Sequence, residues 1–274
     1  MKLPVWSTCQ TCYRHLWAER AAAARLAGLP MLIYFAIIAL TRYLHAHGAI
    51  GEALTALVWI GASLLVVPFA IACHRAVLVG PAELERSTGI ELGRREVRFA
   101  LTTVALSLGF WVLAFVLAML GGTFFGLIGG LMGAGVGSAV EVGAVFSGIG
   151  ALAAIWLLGA PLARLFLLLP HVALDHPAEP AVAMRLGAGN SYRFALVLLL
   201  VNVPLQLLLG IVALLVGGVW LQGPVTAHPL GPIAIEAAIE ATLLFGTSMI
   251  SATALSICYR FLTRPPDEPA AATA

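Results

Sequence analysis

Charge is scarce in this chain. Of its 274 residues only 10% are charged and 61% are apolar, with a mean hydropathy of +1.00. A soluble domain needs a polar rim to cover its core, so this composition excludes an ordinary globular protein. Lysine is nearly absent, with Lys2 the single example, and the net charge is +2. No basic surface for nucleic acid follows from that balance. Cysteine is sparse as well: Cys9, Cys12, Cys73 and Cys258 all fall at helix ends assigned below to the cytoplasm, so a disulfide framework is not expected. Enzyme signatures are missing too. The chain has no His-Glu-x-x-His, no Gly-x-Ser-x-Gly, no phosphate-binding Walker loop and no Asp-rich magnesium motif. No enzyme is expected, and no cofactor.

What the chain does have is apolar runs of about 20 residues, the length that crosses roughly 30 Å of hydrocarbon as a helix. The expected spans are 26–46, 53–74, 98–120, 143–163, 194–216 and 238–259. The first begins behind a polar lead and is long enough to be a span rather than a cleaved signal. Lys2, Arg14, Arg20 and Arg25 precede it, and eight more arginines fall between spans 2 and 3 and between spans 4 and 5. Arg260 and Arg264 follow the last span. Arg42 alone falls on the other side. Basic residues stay on the cytoplasmic side of short loops, so six spans with both termini in the cytoplasm are predicted, in a bacterial inner membrane. The Gly-rich stretch 121–143 is apolar enough for a seventh span. That would place five of the arginines outside, so it reads as an outer loop or a re-entrant segment.

The even-numbered spans share a frame. Glu52, Gly61 and Arg75 recur as Glu141, Gly150 and Arg164, and again as Glu236, Gly246 and Arg260. At 1.5 Å per residue each acid and base lie roughly 35 Å apart, at opposite faces of the membrane. Arg98-Phe99-Ala100-Leu101 recurs as Arg193-Phe194-Ala195-Leu196. The fold class is therefore all-α and polytopic: a single membrane domain of three parallel helical hairpins, 26–80, 81–176 and 177–264, with a polar lead 1–25 and a disordered tail 265–274. Positive-inside sorting alone explains the arginines, but not the Glu and Gly spacings.

Few residues offer chemistry. Asn202 and Gln206 share a face of span 5 near mid-bilayer, with Pro204 between them releasing a backbone carbonyl. Glu240 is the carboxylate nearest the hydrocarbon. These three are candidates for a polar path; the alternative for Asn202 and Gln206 is interhelical hydrogen bonding, and Glu240 reads either as a proton or cation site or as a carboxylate solvated at the outer interface. Span centres hold no charge, which counts against proton-coupled pumps and voltage sensors. Gly122, Gly126 and Gly130, with Gly133 and Gly137, give four-residue spacings that suit close helix packing, or else a flexible loop. Cys9-x-x-Cys12 lacks the further ligands of a zinc site, so no metal is expected. His171, Asp175 and His176 read as helix-end polar groups. Residues 10–25, 82–98 and 178–193 alternate apolar and basic groups as interfacial helices do on anionic headgroups.

The run Met184-Arg185-Leu186-Gly187-Ala188-Gly189-Asn190-Ser191-Tyr192-Arg193-Phe194 leads straight into a span. It resembles the Gly-Asn, aromatic, Arg approach to a helix in uncharacterised bacterial six-span membrane proteins. Those are similar to the membrane domain that precedes some glycerophosphodiester phosphodiesterases. The resemblance implies a six-helix membrane fold with cytoplasmic amphipathic helices, and it carries no catalytic residue. The expected function is a non-enzymatic membrane protein acting through helix packing, lipid contact or a protein partner, the partner being a second copy or another membrane protein. The alternative is a passive transporter or channel along the hairpin interface.

Overall fold

A computed structural model describes residues 2–87, 89–90, 93–131, 159–220 and 230–263. Among these residues all regular structure is helical. The helices are α1 (Val5–Ala46), α2 (Glu52–Ser63), α3 (Val66–Leu78), α4 (Ala82–Arg86), α5 (Arg94–Leu131), α6 (Gly159–Ala173), α7 (Pro180–Leu186), α8 (Ser191–Trp220) and α9 (Leu230–Thr263). A 3-10 turn, Arg164–Leu167, interrupts α6. Five helical stretches are long and apolar enough to cross a membrane: α1, α2 with α3, the first part of α5, the first part of α8, and α9. The described residues are thus all-helical, with helices suited to a membrane. The expected fourth span lies mostly outside the described residues, as do Gly133, Gly137 and Glu141.

Three elements differ from the sequence expectation. The polar lead and span 1 form one helix of 42 residues, about 63 Å long, rather than an interfacial helix followed by a span. The Ala21–Ala24 run at the junction is strongly helix-favouring and nothing there breaks the ladder. Pro30 does lie inside the helix and has no N–H for the Leu26 carbonyl. Gly89 closes over that carbonyl: a Cβ there would come within 2.9 Å of the oxygen, and its φ of +76° suits glycine. Next, the Glu52–Arg75 frame is two helices. Pro68 cannot donate to Leu64, and a turn at Leu64 and Leu65 separates α2 from α3. Last, α5 continues through Leu131, so Gly122, Gly126 and Gly130 are helical where a loop was one expectation. In hydrocarbon an open backbone costs more than glycine's poor helix propensity.

Helices α1 and α9 run antiparallel along their length, with Cys12 and Cys258 in one core and Tyr34 bonded to Glu240 further along. The α2–α3 pair runs parallel to α9: Trp59 meets Glu240 and His74 meets Ser256. The start of α1 runs beside the start of α8. Leu3 lies against Asn190 and Tyr13 against Leu200, each pair 187 residues apart. The end of the bundle that gathers these starts also holds Arg75, Arg193 and Arg260, and is called the basic end below. Its core is Leu3, Cys9, Cys12, Phe99, Phe194, Val197 and Cys258 with the α6 leucines.

Candidate functional site

Two polar constellations lie between the helices. The first is at the Arg42 end. Glu240 accepts hydrogen bonds from the Tyr34 hydroxyl at 2.6 Å and from the Trp59 indole N–H, and Arg42 Nη2 pairs with its other oxygen at 2.6 Å. Arg42 Nη1 also pairs with Glu236. The one arginine on the expected outer side is therefore matched by two carboxylates 194 and 198 residues further along the chain. Glu240 side-chain exposure is 20% against 59% for Glu236, so the deeper carboxylate is the better-bonded one. A carboxylate that accepts three such bonds has little left to offer a passing solute. Glu52 opens α2 beside the same cleft, which Arg42 and Trp59 also line.

The second is a cavity of about 290 Å³ between α3, α5, α6, α8 and α9. Its polar lining is His74, Thr103, Asn202, Thr247, Ser248 and Ser251, among apolar side chains and, among the described residues, with no Asp, Glu, Lys or Arg. Asn202 donates to the Leu198 carbonyl at 2.9 Å and accepts from the Ser251 hydroxyl at 3.1 Å, so it ties α8 to α9. His74 Nδ1 lies 2.7 Å from Ser256 Oγ. Gln206 is exposed on α8 and does not line the cavity. Asn202, Gln206 and Glu240 thus occupy three separate places.

At the basic end the frame arginines make backbone and carboxylate contacts. Arg75 Nε donates to Glu83 at 2.6 Å, and its Nη1 to the Ala173 carbonyl at 3.3 Å. That bond from Arg75 holds the Glu83 carboxyl below the usual carboxylate range. Asp175, left-handed at φ +67°, lies 3.5 Å from Arg75 and 3.7 Å from Arg95. Arg164 donates to the Pro161 and Met184 carbonyls, and so caps the last turn of α7. Its side chain lies across Gly187, where a Cβ would meet it at 2.5 Å. Arg260 is exposed in the last turn of α9. His171 lies 2.8 Å from the Tyr259 hydroxyl and stacks on His176. Among the described residues no three His, Cys, Asp or Glu side chains converge as metal ligands would.

No protein-family model, curated protein or solved structure matches this chain. The site must be read from its own residues. One contact that sequence reasoning missed concerns the run before α8. Asn190 Oδ1 accepts the Leu3 N–H at 2.7 Å, and Arg193 Nη1 donates to the Leu3 carbonyl at 3.0 Å. Asn190 and Arg193, three apart on one side of the helix start, grip both polar groups of a single residue whose side chain is fully buried. The Gly-Asn, aromatic, Arg spacing was visible in the sequence. Its partner, 187 residues earlier, was not.

Proposed function

We propose that this chain is a non-enzymatic, multi-pass protein of the bacterial inner membrane that acts by association, its helix surfaces meeting lipid or a membrane partner. The observation that carries the reading is the dispersal of the intramembrane polar groups. Glu240 is bonded to Arg42, Tyr34 and Trp59, Asn202 to Ser251, and Gln206 faces outward. A solute path would need these groups aligned and unspent. Wide apolar faces on α5 and α8 support association as well, with Leu101, Leu108, Trp111, Leu207, Leu208 and Leu214 all exposed.

Six spans as three like-oriented hairpins, with both termini cytoplasmic, belong to the same proposal. The near-register pairing of α2–α3 with α9 supports it. Contacts between them join residues 181 and 182 apart, close to the 184 and 185 that separate Glu52 from Glu236 and Arg75 from Arg260. Kinship with the six-span proteins that resemble phosphodiesterase-linked membrane domains is proposed on the Met184–Phe194 run alone.

The test is labelling of Asn202→Cys and Gln206→Cys, in a background without the four native cysteines, by a membrane-impermeant maleimide in intact cells. Neither position should react. Reaction at 202 from outside would restore the channel reading. Reporter fusions after residue 274 and within 123–140 test orientation: the first should report cytoplasm and the second periplasm.

A further inference from the structure

We propose that the groove between the first half of α1 and α8 binds an anionic phospholipid, with an acyl chain against Trp6, Tyr13, Trp17 and Pro204 and the phosphate on Arg14. This rests on the lipid-contact reading above and names its site. The groove has a local cause. Pro204 has no N–H, so the Leu200 carbonyl loses its helical donor. The Tyr13 hydroxyl replaces it, lying 3.3 Å from the Leu200 oxygen and 3.1 Å from that of Val201. This bond spends the polar tip of Tyr13 on backbone and leaves its ring as a wall. Trp6 and Trp17 flank Tyr13 on α1, and each is 70% exposed. In water two such indoles would cost solubility; against lipid they do not.

The open groove offers about 780 Å³, within the range of ligand sites, and its lining is apolar apart from Gln10, the Tyr13 hydroxyl and Arg14. Among the described residues no acidic residue lines it. A second arginine, Arg20, stacks over the Trp17 ring at 4.2 Å. A cation in the lining of an otherwise apolar groove matches an acyl chain ending in a phosphate. One basic contact to an anionic surface supplies about a fivefold preference over a zwitterionic lipid.

Brominated acyl chains quench tryptophan on contact, which gives a direct readout. The full chain is placed in phosphatidylcholine nanodiscs carrying a minor fraction of brominated phosphatidylglycerol or brominated phosphatidylcholine. One variant keeps only Trp6 and Trp17, the other four tryptophans being replaced by Phe; a second keeps only Trp111 on the exposed face of α5. Trp6 and Trp17 should need about fivefold less brominated phosphatidylglycerol than brominated phosphatidylcholine for half quenching, and Arg14→Gln should erase the difference. Equal quenching by the two lipids, or a preference that survives Arg14→Gln, overturns the site. Absence of quenching by either lipid also overturns it, because lipid then does not reach the groove. Trp111 should be quenched by both lipids alike, and its failure would overturn the membrane reading instead. Native mass spectrometry of the wild-type chain and Arg14→Gln repeats the test with every tryptophan in place. Phosphatidylglycerol adducts should fall about fivefold in the variant, and unchanged adducts overturn the proposal.

Discussion

Phe194 and Phe115 both sit on long apolar helices, yet the first has 0% of its surface exposed and the second 64%. Phe194 belongs to the basic end, where the start of α1, the α6 leucines, the start of α8 and the end of α9 close on one another. Phe115 belongs to the outward face of α5, in a row with Leu108, Trp111 and Met119. Hydrophobicity is alike in the two regions, and packing is not. The basic end is held by side chains that meet protein and by polar groups that grip backbone, as Asn190 and Arg193 grip Leu3. The α5 and α8 faces offer the same kind of side chain to the surroundings, where lipid tails serve as solvent. The Arg42 end is intermediate, with Tyr34, Ile38, Ala241 and Phe245 packed beside one ionic knot.

This contrast is broken most sharply by one substitution made twice. Phe194→Ala should cost about 3–5 kcal/mol through the cavity it leaves, and Phe115→Ala under about 1 kcal/mol. Thermal melts in detergent followed by circular dichroism compare them, and equal losses would mean that α5 is covered by protein. At the Arg42 end, Glu240→Leu takes the acceptor from Tyr34 and Trp59 and leaves Arg42 with Glu236 alone, and should cost about 2–3 kcal/mol, less than a fully buried pair because Glu240 is partly exposed. Glu236→Gln should cost under about 1 kcal/mol, since that carboxylate is mostly solvated. A matching loss for the two would make the knot a surface feature.

Removing the clamp sharpens the account of the basic end. Asn190→Ala leaves the buried Leu3 N–H without this acceptor, for about 1–2 kcal/mol. Its signature is local: proteolysis at the N-terminus should quicken before the melt shifts far. The smallest effect concerns Glu83. Its folded carboxyl binds a proton less readily than the unfolded one, because Arg75 donates to it. The stability it contributes is present above the ordinary glutamate value and is lost as pH falls from there through the lowered folded value. Melts between about pH 6 and about pH 3 should show that loss in the wild-type chain and a shallower one in Glu83→Gln.

Much of the helical content was legible in the residues. Runs of Leu, Val and Ala long enough to cross hydrocarbon announce themselves by composition, and α8 and α9 fall where the sequence places them. Other features were legible only in half. Pro204 marks a carbonyl released from the α8 ladder, but nothing in the local sequence names Tyr13 as its new donor. The Gly-rich segment 121–131 reads equally as loop or packing helix, because glycine propensity measured in water does not decide the matter in lipid. Glu240 stands out as a carboxylate near hydrocarbon, which is as true of a proton site as of a salt-bridge partner.

Chain composition by itself pointed to helices long and apolar enough to cross a membrane, because a chain so poor in charge cannot hide its apolar surface in water and must satisfy its backbone internally. Tertiary structure alone decided what the rare polar groups do. Arg42 finds Glu236 and Glu240, Tyr13 finds the Leu200 carbonyl, and Leu3 finds Asn190 and Arg193, each across more than 180 residues. Such pairings depend on which helix faces which, and helix contacts in an apolar chain are chosen by shape, which no local pattern of residues records.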